Sequence, residues 1–234
     1  MFSFDIGKWI LKLLNTSNSY FDLLKFVNDK DAFKSHTEKR TIYSASINSE
    51  EIVKINIKDS EYKTYFIHEI KTAIEHSMEN YSNQMVVILA TYIETMHSEF
   101  FHSIFTKNNK LIYDYITENE HVKLNLIFDS KDKDEIIDRL INIAKKNIIN
   151  GSLKKINERI FKITKYKIDI KLIESIQKNI LDKRNLIVHE STLITINEEE
   201  LHKYFNLIEK YLLELGKACK KNGAYYVDQA NWLE

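Results

Sequence analysis

The chain has 234 residues, 34 Lys and Arg against 34 Asp and Glu, no proline, four glycines and one cysteine. That length suits one large domain, or one domain with a small appendage. The lack of proline and scarcity of glycine disfavour a turn-rich β fold and favour long helices. The lone Cys219 excludes an internal disulfide framework and a cysteine-based zinc site, and there is no apolar run of the roughly 18 residues a membrane span needs.

In chain order, residues 4–14 read as a short amphipathic helix with Trp9, Ile10, Leu13 and Leu14 on its apolar side, and residues 19–34 as a second helix. The opening residues do not read as a signal peptide, so a cytoplasmic location is expected. Residues 41–47 and 52–57 are β-branched and alternating, the pattern of two short strands. From residue 61 onward the pattern is helical. One helix is expected over 62–81, a break or capped restart at 80–83, and a second helix over 84–105, apolar on so many sides that it must be central. Glu94 lies inside that central helix, so it stands either at its one wet edge or paired with Arg184 or a basic neighbour.

Shorter pieces follow over 110–118 and 122–128, then helices over 136–149 and 153–161, with Asn150-Gly151-Ser152 as the stop between them. A helix over 169–190 comes next. Asn197 with Glu198, Glu199 and Glu200 then starts a last long helix, an N-cap followed by acids over the positive helix end. Asn222-Gly223 ends it, before an aromatic tail with Tyr225, Tyr226 and Trp232.

The 169–190 helix carries polar groups where scaffold should be apolar. Ile173, Ile176, Ile180 and Ile187 mark a stripe, and Arg184 falls within it, a costly place for an unpaired guanidinium. Asn185 and His189 are four apart and share a neighbouring face. Residues 139–189 hold thirteen Lys and Arg, Lys183 among them, against four acids, a local excess that suits a polyanion such as nucleic acid or simply a solvated face. At about 100° per residue, Arg184 and His189 point roughly 140° apart, so a two-fold dimer is one way to bring them to a common target.

Arg184-Asn185, three residues, then His189, late in an all-helical domain, resembles the ribonuclease members of the HEPN family (higher eukaryotes and prokaryotes nucleotide-binding). The runs Ala90-Thr91-Tyr92-Ile93-Glu94-Thr95 and Phe100-Phe101-His102-Ser103-Ile104-Phe105 resemble the early long helix of that family, and the likeness spans roughly residues 61–220. It implies a mainly α, HEPN-like helical bundle over residues 61–234; residues 1–60 fall outside the likeness and, with the strand pattern at 41–57, read as a small, partly β N-terminal extension of unknown role. It also implies a homodimer with an active cleft between protomers, RNA as substrate and a role as a toxin or defence effector. No sensor domain is recognisable, which points to a regulatory protein partner.

The chemistry that suits these groups is RNA cleavage without metal or cofactor, in which the 2′-hydroxyl attacks the adjacent phosphate. His189 would carry the proton, Arg184 would hold the phosphate oxygens, and Asn185 would orient His189 or donate to the phosphate. Glu94 and Lys183 would support them. The alternative is a HEPN-like module that binds nucleotide, RNA or protein without cutting. A third reading is an oligomerisation domain with an incidental motif. Glu94 and His97 form half of a di-iron bundle pattern, but its second half is missing, so no metal is expected. No glycine-rich phosphate loop or Gly-x-Ser-x-Gly occurs.

Overall fold

The computed structural model describes residues 3–45, 52–116 and 129–227. The segment expected at 122–128, the end of the first expected strand and the tail beyond 227 lie outside the described residues. The fold is mainly α, as the sequence pattern predicts. Its elements are β1 (Phe4–Asp5), α1 (Ile6–Asn28), α2 (Lys30–Lys39), β2 (Thr41–Ala45), β3 (Ile52–Asn56), α3 (Lys63–Lys107), α4 (Lys133–Ile148), α5 (Leu153–Thr164), α6 (Ile170–Ile176), α7 (Asp182–His189), α8 (Glu198–Asn222) and β4 (Tyr226–Val227). A 3₁₀ segment, Asn109–Tyr115, follows α3.

The two expected strands form an antiparallel hairpin with Thr41 opposite Asn56 and Ala45 opposite Ile52. The two helices expected before them are differently divided. α1 runs unbroken through Asn15-Thr16-Ser17-Asn18-Ser19 because this polar run bonds within the helix. Thr16 donates to the Lys12 carbonyl at 2.8 Å and Ser19 to that of Asn15 at 2.7 Å. The chain turns at Asp29, whose carboxylate accepts from the Asp31 and Ala32 amides and starts α2.

The break expected at 80–83 is absent, and α3 is one helix of 45 residues, about 68 Å long at 1.5 Å per residue. The buried Asn83 explains the continuity. Its amide donates to the Glu79 and Ile194 carbonyls, both at 2.8 Å, and its oxygen accepts from the Ile194 amide at 3.0 Å. A residue type that ordinarily favours turns is held in mid-helix by a partner far away in sequence.

The core is built around α3 and α8, which pack on each other. The C-terminal half of α3 supplies Met85, Leu89, Ile93, Met96, Phe100 and Phe101, and α8 supplies Leu201, Ile208, Tyr211, Leu212 and Leu215. α1 contributes Ile6, Trp9, Leu13 and Phe21 to the same core. Glu99 ties α1 down through the Trp9 indole N–H at 2.8 Å and Lys8 at 2.9 Å. β1 pairs in parallel with β4, so Phe4 sits opposite Tyr226. The expected boundary at residue 60 therefore does not divide the core, because the first helix is part of it.

Three helix ends are secured by named contacts. Asn197 and Glu200 form a capping box at the start of α8, and Gly223 ends that helix in the left-handed region at φ 69°. Arg159 closes the end of α4 by donating to the Ile148 carbonyl at 2.6 Å and the Asn150 carbonyl at 2.5 Å.

Candidate functional site

The motif helix is not a uniform α-helix. α6 passes through a π turn (Gln177–Leu181) into α7. Such turns widen the backbone by one residue and are frequent at functional sites. Ile173, Ile176 and Ile180 are fully buried; α7 has no fully buried residue, and Ile187 continues the stripe as a partly buried side chain packed against the core. The expectation of a buried Arg184 is corrected accordingly: its side chain is 30% exposed, at the edge of the contact that α7 makes with α3.

The structure sends the motif side chains in different directions. Lys183 turns toward α8, where it donates to the Tyr204 hydroxyl at 2.6 Å and to Glu200 at 3.4 Å. Burial works against its charge, but the Tyr204 hydrogen bond and the nearby Glu200 outweigh that and raise its pKa. Arg184 turns toward α3. Its Nη2 lies 4.0 Å from Glu94 Oε1, and its Nη1 donates to Asn185 Oδ1 at 3.1 Å.

Glu94 is 63% exposed, so both expectations for it hold in part: it stands at a wet edge and faces Arg184. Asn185 and His189 lie exposed on one side of α7, and the His189 ring makes no hydrogen bond among the described residues. Leu186 and Val188 between them are also exposed. Within one chain, then, Arg184, Asn185 and Glu94 are neighbours, Lys183 is committed elsewhere, and His189 stands apart.

The loop after α7 is fixed from behind. Ser191 adopts φ 51°, and the Thr192 amide donates to the Leu186 carbonyl at 3.3 Å. Asn83 holds both backbone groups of Ile194, and the Thr195 hydroxyl donates to Glu79 at 3.1 Å. The long helix therefore sets where the end of the motif helix lies.

One pair escaped the sequence reading. His97 on α3 and Tyr211 on α8 are both buried, with Nε2 of His97 2.5 Å from the Tyr211 hydroxyl. Burial pushes the His97 pKa down to about 3 and the Tyr211 pKa up. Both are neutral at physiological pH. With no other acceptor for it among the described residues, the buried Tyr211 hydroxyl donates to Nε2, which places the imidazole proton on Nδ1. The one available signal was that His97 sits on the apolar side of α3; nothing in the sequence names Tyr211 as its partner.

His102 is bracketed by Lys145 at 3.2 Å and Asp138 at 3.4 Å. Burial first, and then Lys145, lower its pKa, with Asp138 opposing. No cluster of metal-binding side chains exists among the described residues, and no described helix is long and apolar enough to cross a membrane.

Comparison of the chain with protein-family models, with curated proteins and with solved structures finds no match.

Proposed function

We propose that this chain is a HEPN-type, metal-independent endoribonuclease, a toxin or defence effector that works as a homodimer. The observation that carries this reading is the state of the motif side chains. Asn185 and His189 are presented to solvent on a surface helix, and His189 has no partner among the described residues. A purely structural role would leave such groups satisfied or replaceable, whereas chemistry on an incoming phosphate needs them free. Exposed Leu186 and Val188 flank the Asn185 and His189 face on its two sides, so a second copy packed there would cover apolar side chains on both edges and bring two motif helices to one cleft.

The roles follow from the groups. The 2′-hydroxyl of RNA attacks its own phosphate, so the nucleophile is already in place. His189 takes or gives the proton, and Arg184 meets the charge that builds on the phosphate oxygens. Glu94 holds the guanidinium loosely on the α3 side, leaving its other donors for substrate. Asn185 accepts from the Arg184 guanidinium and helps to set its position.

The test is cleavage of mixed RNA in EDTA, with the parent compared with His189→Ala. EDTA-resistant cutting by the parent alone supports the enzyme. A folded dimer that binds RNA and leaves it intact favours the second reading, a non-catalytic binding module. One observation speaks for that reading: within a single chain Arg184 is already engaged by its own Asn185 and Glu94. A regulatory protein that covers the exposed face of α7 fits either reading.

A further inference from the structure

We propose that the cavity between α3 and the π turn is a pocket for one guanine base. The proposal deepens the ribonuclease reading and rests on it for the source of the base, RNA. The cavity has a volume of about 230 Å³. An apolar cavity of about 150 Å³ accepts benzene, so the space suits a two-ring base. Its walls are Ile149, Leu153, Ile156 and Leu181, and its polar groups are Glu94 and His97. Apolar walls with few polar groups are the usual make-up of a small-molecule site.

The pocket adjoins the candidate site. Glu94 both lines it and faces Arg184 at 4.0 Å, and Leu181 is the last residue of the π turn. The walls are braced before any ligand arrives. Arg159 holds the 148–150 turn through two carbonyls. Gln177 accepts from the Leu153 amide at 3.4 Å and donates to Asp182 at 2.7 Å, tying the start of α5 to the start of α7.

The two polar groups select the base. Glu94 and His97 are three apart on one helix, so they stand about 5–6 Å from each other at Cβ. A carboxylate only accepts, and Glu94 makes no hydrogen bond among the described residues. His97 uses Nε2 on Tyr211, and with the Tyr211 hydroxyl as donor in that bond the imidazole carries its own proton on Nδ1, as a donor for the base. One donor beside two acceptors matches the pairing edge of guanine, where O6 accepts and N1–H and N2–H donate. Adenine, with an acceptor where guanine has N1–H, satisfies fewer of these groups. Burial keeps His97 neutral, so this donor pattern holds across the ordinary pH range.

The test titrates GMP, AMP and UMP into the full-length protein by calorimetry, beside a five-nucleotide 2′-O-methyl RNA carrying a single G, which cannot be cleaved. The expected result is GMP bound at least tenfold tighter than AMP, a preference lost in Glu94→Gln. Ile149→Trp, which fills the mouth, should abolish GMP binding in a protein whose melting temperature is retained; if that variant does not fold, Glu94→Gln decides. A pentamer bound more tightly than GMP supports RNA as the source of the base, and equal affinities support a free guanine nucleotide in the same pocket. GMP bound no better than AMP, or bound equally by Glu94→Gln, overturns the proposal. A parent that binds GMP but never cuts RNA leaves the pocket standing and removes the nuclease. RNA cut by a parent that binds GMP no better than AMP does the reverse.

Discussion

Arg184 of the motif helix and Glu94 of the long helix face each other across 4.0 Å, at a rim where the carboxylate is mostly exposed. An ion pair of that length and exposure contributes under about 1 kcal/mol. Arg184→Ala should therefore shift the denaturation midpoint only slightly while reducing RNA cleavage by at least about a hundredfold, the size of effect seen when a group stabilising transition-state charge is removed. A large loss of stability with activity retained would make Arg184 a structural residue.

Asn83→Ala tests how the site is held. The variant removes three hydrogen bonds and leaves both backbone groups of Ile194 without their partner. A cost of about 2–3 kcal/mol is expected, with faster amide exchange confined at first to residues 191–196. Unchanged exchange there would show that the loop is fixed by other contacts.

How α1 meets α8 gives a paired prediction. A Cβ at Gly216 would run into Ile6 Cδ1. Alanine gains about 1 kcal/mol of helix propensity, but overpacking costs about 1–3 kcal/mol. Ile6 is itself buried, so Gly216→Ala should be destabilising on balance. Ile6→Val, which removes Cδ1, should recover most of that loss. Strictly additive effects of the two substitutions would contradict the contact.

These cases also show what the sequence could and could not reveal. The capping box at Asn197 and Glu200, the stop at Asn150-Gly151 and the end at Asn222-Gly223 are local devices, legible because their partners lie within a few residues. The continuity of α3 through Asn83 was not legible, since the groups that satisfy Asn83 belong to Ile194. The polar run in α1 looked like a break because Asn and Ser favour turns, yet there they bond one helical turn back. Arg184, Asn185 and His189 could be named as candidates from their spacing, but neither the π turn before them nor the pairing of His97 with Tyr211 was legible.

Stability should fall in acid for a reason that can be assigned. The pKa of His97 is about 3 when folded and about 6.5 when unfolded. Between those values the unfolded chain binds a proton that the folded chain does not. The contribution is thus fully present above about pH 6.5 and declines as pH falls toward 3, by up to about 1.4 kcal/mol per pH unit. His102, also lowered by burial, acts in the same direction. Urea unfolding at pH 7 and pH 5 should differ by about 2 kcal/mol from His97 alone, and His97→Leu with Tyr211→Phe should flatten the dependence. Equal stability of the parent at the two pH values would contradict it.

The most direct measurement is the chemistry of the product ends, by mass spectrometry, after a defined RNA is incubated with the protein in EDTA. Attack by the 2′-hydroxyl leaves a 2′,3′-cyclic phosphate and a 5′-hydroxyl, and a single 2′-deoxy substitution at the cut position blocks the reaction. The expected result is those ends from the parent and no product from His189→Ala. Cutting that disappears in EDTA and returns with a divalent metal, or ends bearing a 5′-phosphate, would contradict the proposed mechanism.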